Sequence, residues 1–210
     1  EIALLRRYEA PSGSADWTHQ YADAANSVVS QDRRVKAPLG LLWFGGPSNE
    51  AILPRHGHGP APQVVGGQLM IEGRDILRAM DIYTGRVLWE RTLKDVGKFY
   101  DNTSHEPGAN LIGSNYVSLR DGIYVVHNDE CVRLDPATGE TISKFRLPAS
   151  EDVREPPPWG YIGIWKSTLI AGAQPENLVS PDYNARELRR IRGDTMKTVS
   201  YTHLTLPTKA

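Results

Sequence analysis

Short apolar runs, each opened or closed by a Gly- or Asp-bearing turn, recur along the chain. One copy runs Gly66-Gly67-Gln68-Leu69-Met70-Ile71, then Ile76-Leu77-Arg78-Ala79-Met80-Asp81, then Ile82-Tyr83-Thr84-Gly85-Arg86-Val87-Leu88-Trp89. A second runs Asp121-Gly122-Ile123-Tyr124-Val125-Val126, then Cys131-Val132-Arg133-Leu134-Asp135, then Pro136-Ala137-Thr138-Gly139-Glu140-Thr141-Ile142. Each copy reads as three strands: Gln68–Ile71 or Ile123–Val126, a middle strand ending at Asp81 or Asp135, and Arg86–Thr92 or Glu140–Leu147. The strand residues are β-branched or aromatic and roughly alternate in polarity. Polar turns, Glu72–Asp75 and Asn128–Glu130, separate the first two strands. Asp81 and Asp135 each cap their own turn through backbone N–H groups two or three residues on. Gly85 and Gly139 supply the positive φ of a tight reversal.

The Asp-x-x-Thr-Gly blocks lie 54 residues apart, at Asp81 and Asp135. A repeat near 50 residues falls in the range of propeller blades. The expected fold is therefore all-β: a partial β-propeller of about two to three four-stranded antiparallel blades. Residues 16–193 form this region, with repeats near 63–93 and 114–148 and a third starting near 159. In the third, Trp159–Trp165 reads as an outer or crossover strand and Thr168–Gly172 as the strand that opens the next blade. Leu39–Trp43 reads as the closing strand of a preceding blade. The Pro-rich stretches Pro54–Pro62 and Pro156–Pro158 are loops or connectors.

Residues 1–15 read as the end of an upstream region, and 194–210 as a disordered tail. Val199–Thr208 resembles the conceptual translation of a transposase end sequence used in sequencing-library preparation. Residues 198–210 are thus expected to be adapter-derived, and the gene to continue beyond them.

Composition narrows the function classes. The formal net charge is −1, which gives no reason to expect a nucleic acid or an anionic membrane as partner. No apolar run reaches the 18 residues of a membrane span. A single cysteine, Cys131, excludes an internal disulfide. It reads as a small buried hydrophobe rather than a nucleophile paired with His127.

The block Ala79-Met80-Asp81-x-x-Thr84-Gly85-x-Val87-Leu88-Trp89 resembles the repeat of pyrroloquinoline-quinone (PQQ) propellers, Ala-x-Asp-x-x-Thr-Gly-x-x-x-Trp. The resemblance implies that Trp89 docks against the neighbouring blade. The second copy departs from it, with Ser143 and Phe145 where the tryptophan is expected. Over residues 16–193 the chain also resembles planctomycete-type proteins with PQQ-like repeats, through Asp16–Tyr21, Leu42–Pro47 and Arg55–Pro60. The family includes quinoprotein alcohol dehydrogenases and outer-membrane assembly factors. It implies an extracytoplasmic setting, with PQQ and calcium as possible cofactors by resemblance only. The vicinal disulfide and the Glu, Asn and Asp calcium ligands of the dehydrogenases have no matching residues here, and no cofactor is evident.

Candidate chemistry lies in loops. His56 and His58, at i and i+2, can chelate zinc or copper. Arg55, His56, His58, Asp101, Asn102 and His105 are expected on the loop face, where a rigid scaffold presents function. Asn102–Ser104 matches a glycosylation sequon. Asp16, Trp17, Thr18 and His19 read either as an acid and base or as a capped, packed edge, and Asn184–Gly193 as a solvated connector. The expected function is a non-catalytic binding or scaffold module with a protein or small-molecule partner, completed by the remaining blades of the same propeller. The alternative is a fragment of a PQQ-dependent oxidoreductase.

Overall fold

The computed structural model describes residues 10–53, 59–100, 113–149 and 159–173, with Ala109, Pro157 and the backbone of Tyr201–Thr205. The first sheet is β1 (Gln63–Val65), β2 (Gln68–Gly73), β3 (Ile76–Asp81) and β4 (Val87–Thr92). The second is β5 (Tyr116–Leu119), β6 (Gly122–His127), β7 (Glu130–Leu134) and β8 (Thr141–Arg146). Both are antiparallel meanders in sequence order. The third contains β9 (Trp159–Trp165), β10 (Thr168–Ala173) and β11 (Tyr201–Thr205), in the order β11-β10-β9. No helix among the described residues is long and apolar enough to cross a membrane.

The first two sheets superimpose in register. Ala79 faces Trp89 as Arg133 faces Ser143, and a bulge follows at the same place in each ladder. The Asp-x-x-Thr-Gly turn explains the sharp reversal into the fourth strand. Asp81 Oδ1 accepts from Tyr83 N and Thr84 N, both at 2.9 Å, and Gly85 N donates to Asp81 O at 2.8 Å. Asp135 repeats this with Ala137 N at 2.7 Å and Thr138 N at 3.1 Å. Gly85 and Gly139 stand at φ 70° and 74°.

Successive sheets pack face to face. β1 lies beside β5 and β5 beside β9, so the sheets converge on their first strands. One core joins the first two sheets, with Met70, Leu77 and Trp89 against Tyr116, Ile123, Val125 and Leu134. Another joins the second and third, with Val117, Tyr124 and Cys131 against Ile162, Ile164 and Leu169. The middle sheet is thus buried on both faces, which explains the nearly unbroken apolar runs of β6 and β7.

Tryptophan fixes the seam. Trp89 Nε1 donates to Pro136 O in the next sheet's turn at 2.8 Å, and its ring lies over Gly139. Ser143 holds the equivalent ladder position in the second sheet; its Oγ is buried without a partner among the described residues. A Cβ on Gly139 would sit 2.7 Å from the Trp89 ring, in a backbone conformation that side chains rarely adopt. Gly139→Ala should therefore cost about 1–3 kcal/mol, measured by urea denaturation. A change below about 0.5 kcal/mol would show that the seam does not depend on this contact.

Four expectations need correction. Each sheet has a first strand, β1 or β5, missing from the three-strand reading; these strands are too short to show a period. Glu72 belongs to β2, opposite Leu77, and only Arg74 and Asp75 make the turn. Trp159–Trp165 is not an outer or crossover strand: it pairs with β10 and lies beside β5, in the place of a first strand. Thr168–Ala173 is therefore the second strand of its sheet. Finally, Tyr201–Thr205 is not disordered but pairs antiparallel with β10. An open β-edge captures any alternating, β-branched segment, whatever its origin.

Candidate functional site

Two groups of bonded polar side chains among the described residues bear on how the sheets are joined. The first is a strap, Asp16–Gln20, laid across the first strands of all three sheets. Trp17 forms an isolated antiparallel bridge with Val64 of β1, its N–H and carbonyl each bonded at 2.8 Å. Thr18 O accepts from Ser118 N of β5 at 3.0 Å. His19 Nε2 accepts from Ile164 N of β9 at 3.1 Å. Asp16 clamps two hairpins, accepting from Gly66 N at 3.1 Å and pairing with Arg120 at 2.9 Å. Gln20 Oε1 accepts from Ala61 N at 2.8 Å.

The acid and base read from Asp16 and His19 are therefore structural in this frame. A backbone N–H can only donate, so Nε2 of His19 must be its unprotonated nitrogen. The ring proton then sits on Nδ1, 2.8 Å from Thr18 Oγ1. Burial pushes the His19 pKa below its ordinary 6.5, outweighing the opposing pull of the Ile164 bond and the Asp23 charge. A depressed histidine pKa stabilises the fold at neutral pH, and this contribution is lost as pH falls below 6.5 toward the folded value. In a Glu72→Gln background, which removes the opposing titration of that buried carboxyl, stability measured from pH 7 to pH 5 should decline. His19→Ala should flatten that decline while costing about 1–3 kcal/mol at pH 7, because the Ile164 N–H is orphaned. An unchanged acid limb in the variant would show that His19 is not the titrating group.

The second group is a buried polar seam between the first two sheets. Asn115 Nδ2 donates to Glu72 Oε1 at 2.6 Å, and Gln63 Nε2 donates to Tyr116 O at 2.8 Å. Tyr116 OH donates to Ala61 O at 2.8 Å. Glu72 Oε2, Asn115 Oδ1 and Gln63 Oε1 are buried without partners among the described residues. Burial raises the Glu72 carboxyl to about 8, against the lowering effect of the Asn115 bond. The Tyr100 and Tyr116 hydroxyls are likewise held protonated, first by burial and then by the Glu72 charge. Parity along β2 was the available signal, since Glu72 shares a face with Met70. The polar-turn reading concealed it.

The remaining candidates divide by position. Asp81, Thr84, Gly85, Trp89, Asp135, Thr138 and Gly139 build turns and the seam, as above. Cys131 is buried on the face of β7 toward the third sheet, and burial raises its thiol pKa, which suits a packing role. His127 Nε2 lies 2.9 Å from Lys94 O, not beside that thiol. Arg55, His56, His58, Asp101, Asn102 and His105 lie outside the described residues, as do Asn184–Gly193. Among the described residues no three His, Cys, Asp or Glu side chains cluster as metal ligands.

Among solved structures, quinohemoprotein alcohol dehydrogenase from Comamonas testosteroni is similar, with TM-score 0.51 and 17% identity over 78% of this chain and 24% of that one. The fold is that of part of a β-propeller. The quinohemoprotein alcohol dehydrogenase ADHIIG of Pseudomonas putida HK5 is similar at TM-score 0.49 and 14% identity, over 76% of this chain and 23% of that one. BamB from Moraxella catarrhalis reaches TM-score 0.30 and 20% identity, over 51% of this chain and 28% of that one. No family model and no curated protein matches. The chain spans about a quarter of the length of the two dehydrogenases. Each sheet is thus a propeller blade, and the strap runs along the blades' first strands.

Proposed function

We propose that this chain is a section of a non-catalytic binding or scaffold protein, a rigid PQQ-like propeller that presents inter-blade loops to a ligand or protein partner. The observation that carries this reading is the strap. Its acid, hydroxyl and base are each bonded into the frame, so they hold blades together rather than face a substrate. The remaining blades of the propeller complete the ring, and the resemblance to exported relatives favours an extracytoplasmic setting. The loops between blades, with His56 and His58 as zinc or copper ligands, are the meeting place for a partner.

The test uses the longest polypeptide that the gene encodes, mixed with PQQ and calcium. The scaffold reading predicts an unchanged melting temperature and no dye-linked oxidation of alcohols. PQQ-dependent dye reduction, lost when calcium is chelated, would replace it with an oxidoreductase. Zinc titration of His56→Ala and His58→Ala variants tests the loop ligands separately; zinc affinity equal to wild type would remove them.

A further inference from the structure

The segment Leu41–Phe44 repeats the outer strand β4 without the sheet that β4 belongs to. Trp43 Nε1 donates to Ile82 O at 2.8 Å, just as Trp89 Nε1 donates to Pro136 O at 2.8 Å. Both acceptors are the residue after the turn aspartate. A Cβ on Gly85 would meet the Trp43 ring at 2.5 Å, and one on Gly139 would meet the Trp89 ring at 2.7 Å. Aligning the two tryptophans sets Leu41-Leu42-Trp43-Phe44 on Val87-Leu88-Trp89-Glu90.

The two segments differ in what lies alongside. β3 covers β4, leaving Val87 and Leu88 42% and 36% exposed. Leu41, Leu42 and Phe44 are 81%, 67% and 95% exposed. Among the described residues no backbone hydrogen bond reaches Leu39–Phe44. Such an edge, open in its backbone and apolar in its side chains, recruits a strand.

We infer that Leu41–Phe44 is the fourth strand of a further blade, whose other three strands come from more of the same polypeptide and pair with it antiparallel, as β3 pairs with β4. The inference rests on the propeller reading proposed above. The choice of occupant comes from the sheets themselves. In both complete sheets the fourth strand is paired by the third strand of its own chain, and Trp43 holds on the first blade's turn the place that Trp89 holds on the second's, so the strands beside Leu41–Phe44 belong to the same polypeptide. A second copy of this chain offers only β11, at the outer edge of the third sheet, as a strand of the receiving type. The ladders also define the occupant's sequence. Ala79 faces Trp89 and Arg133 faces Ser143, large opposite small. The missing strand carries a small residue opposite Trp43, followed two positions later by a turn aspartate.

Hydrogen exchange on the longest polypeptide that the gene encodes, compared with the 210-residue chain, tests this. The amides of Leu41–Phe44 should exchange at least about 100-fold more slowly in the longer polypeptide. Phe44→Asp should lower that protection in the longer polypeptide and leave the melting of the shorter chain unchanged. Equal, rapid exchange in both chains overturns the inference, as does a gene that encodes no further residues on either side of these 210. Protection in the shorter chain at dimer mass also overturns it, by making a second copy the occupant. Slow exchange at Leu41–Phe44 in a protein that shows PQQ-dependent oxidation would sustain the inference and sink only the scaffold role.

Discussion

Trp89→Ala should lower the unfolding free energy by about 3–5 kcal/mol, the range for deleting a buried tryptophan. Trp89 is 8% exposed and sits in the core shared by the first two blades. Its loss removes the ring over Gly139 and leaves Pro136 O without the indole donor. The damage falls on the contact between blades, not on the hydrogen-bond ladder within one. A reduced urea m-value or a second transition should accompany it, as the blades lose cooperativity. Trp165, 56% exposed, provides the control: Trp165→Ala should change stability by less than about 0.5 kcal/mol. Equal effects at the two positions would refute the account of the seam.

The second large effect is the pH response of Glu72. Its carboxyl is protonated in the fold up to about 8, whereas an unfolded glutamate ionises near 4.5. A raised folded pKa means that the stabilisation is fully present below 4.5 and is lost progressively as pH rises to about 8. At about 1.4 kcal/mol for each pKa step, the loss is on the order of 4 kcal/mol. Glu72→Gln keeps an acceptor for Asn115 Nδ2 and cannot ionise. It should match the wild type near pH 4.5 and exceed its stability by several kcal/mol at pH 8. Parallel curves for the two proteins would assign the alkaline loss to another group. Together with the acid limb from His19, this places maximal stability in mildly acidic solution.

What was legible in the sequence is what local chemistry decides. The Asp81–Gly85 and Asp135–Gly139 turns need only a carboxylate, a hydroxyl and a glycine at fixed offsets, so they could be read directly. The strands flanking them followed from alternation. The strap was not legible, because Asp16 and His19 acquire their roles from Arg120 and Ile164, more than a hundred residues away. Glu72 was missed for a local reason, the reading of Glu72–Asp75 as a turn, and only its bond to Asn115 of the next blade lay beyond local sequence. The place of Trp159–Trp165 in its sheet depends on which neighbours pair with it, which periodicity does not encode. Function remained least legible, since propellers of one build carry many activities.

Amplifying the gene across both ends and reading the complete frame tests the central claim most directly. A section of a larger propeller predicts a frame that continues past Lys197 into further Asp-x-x-Thr-Gly blocks, spaced by roughly 50 residues. A frame that stops at Ala210, with no further repeat on either side, would contradict it.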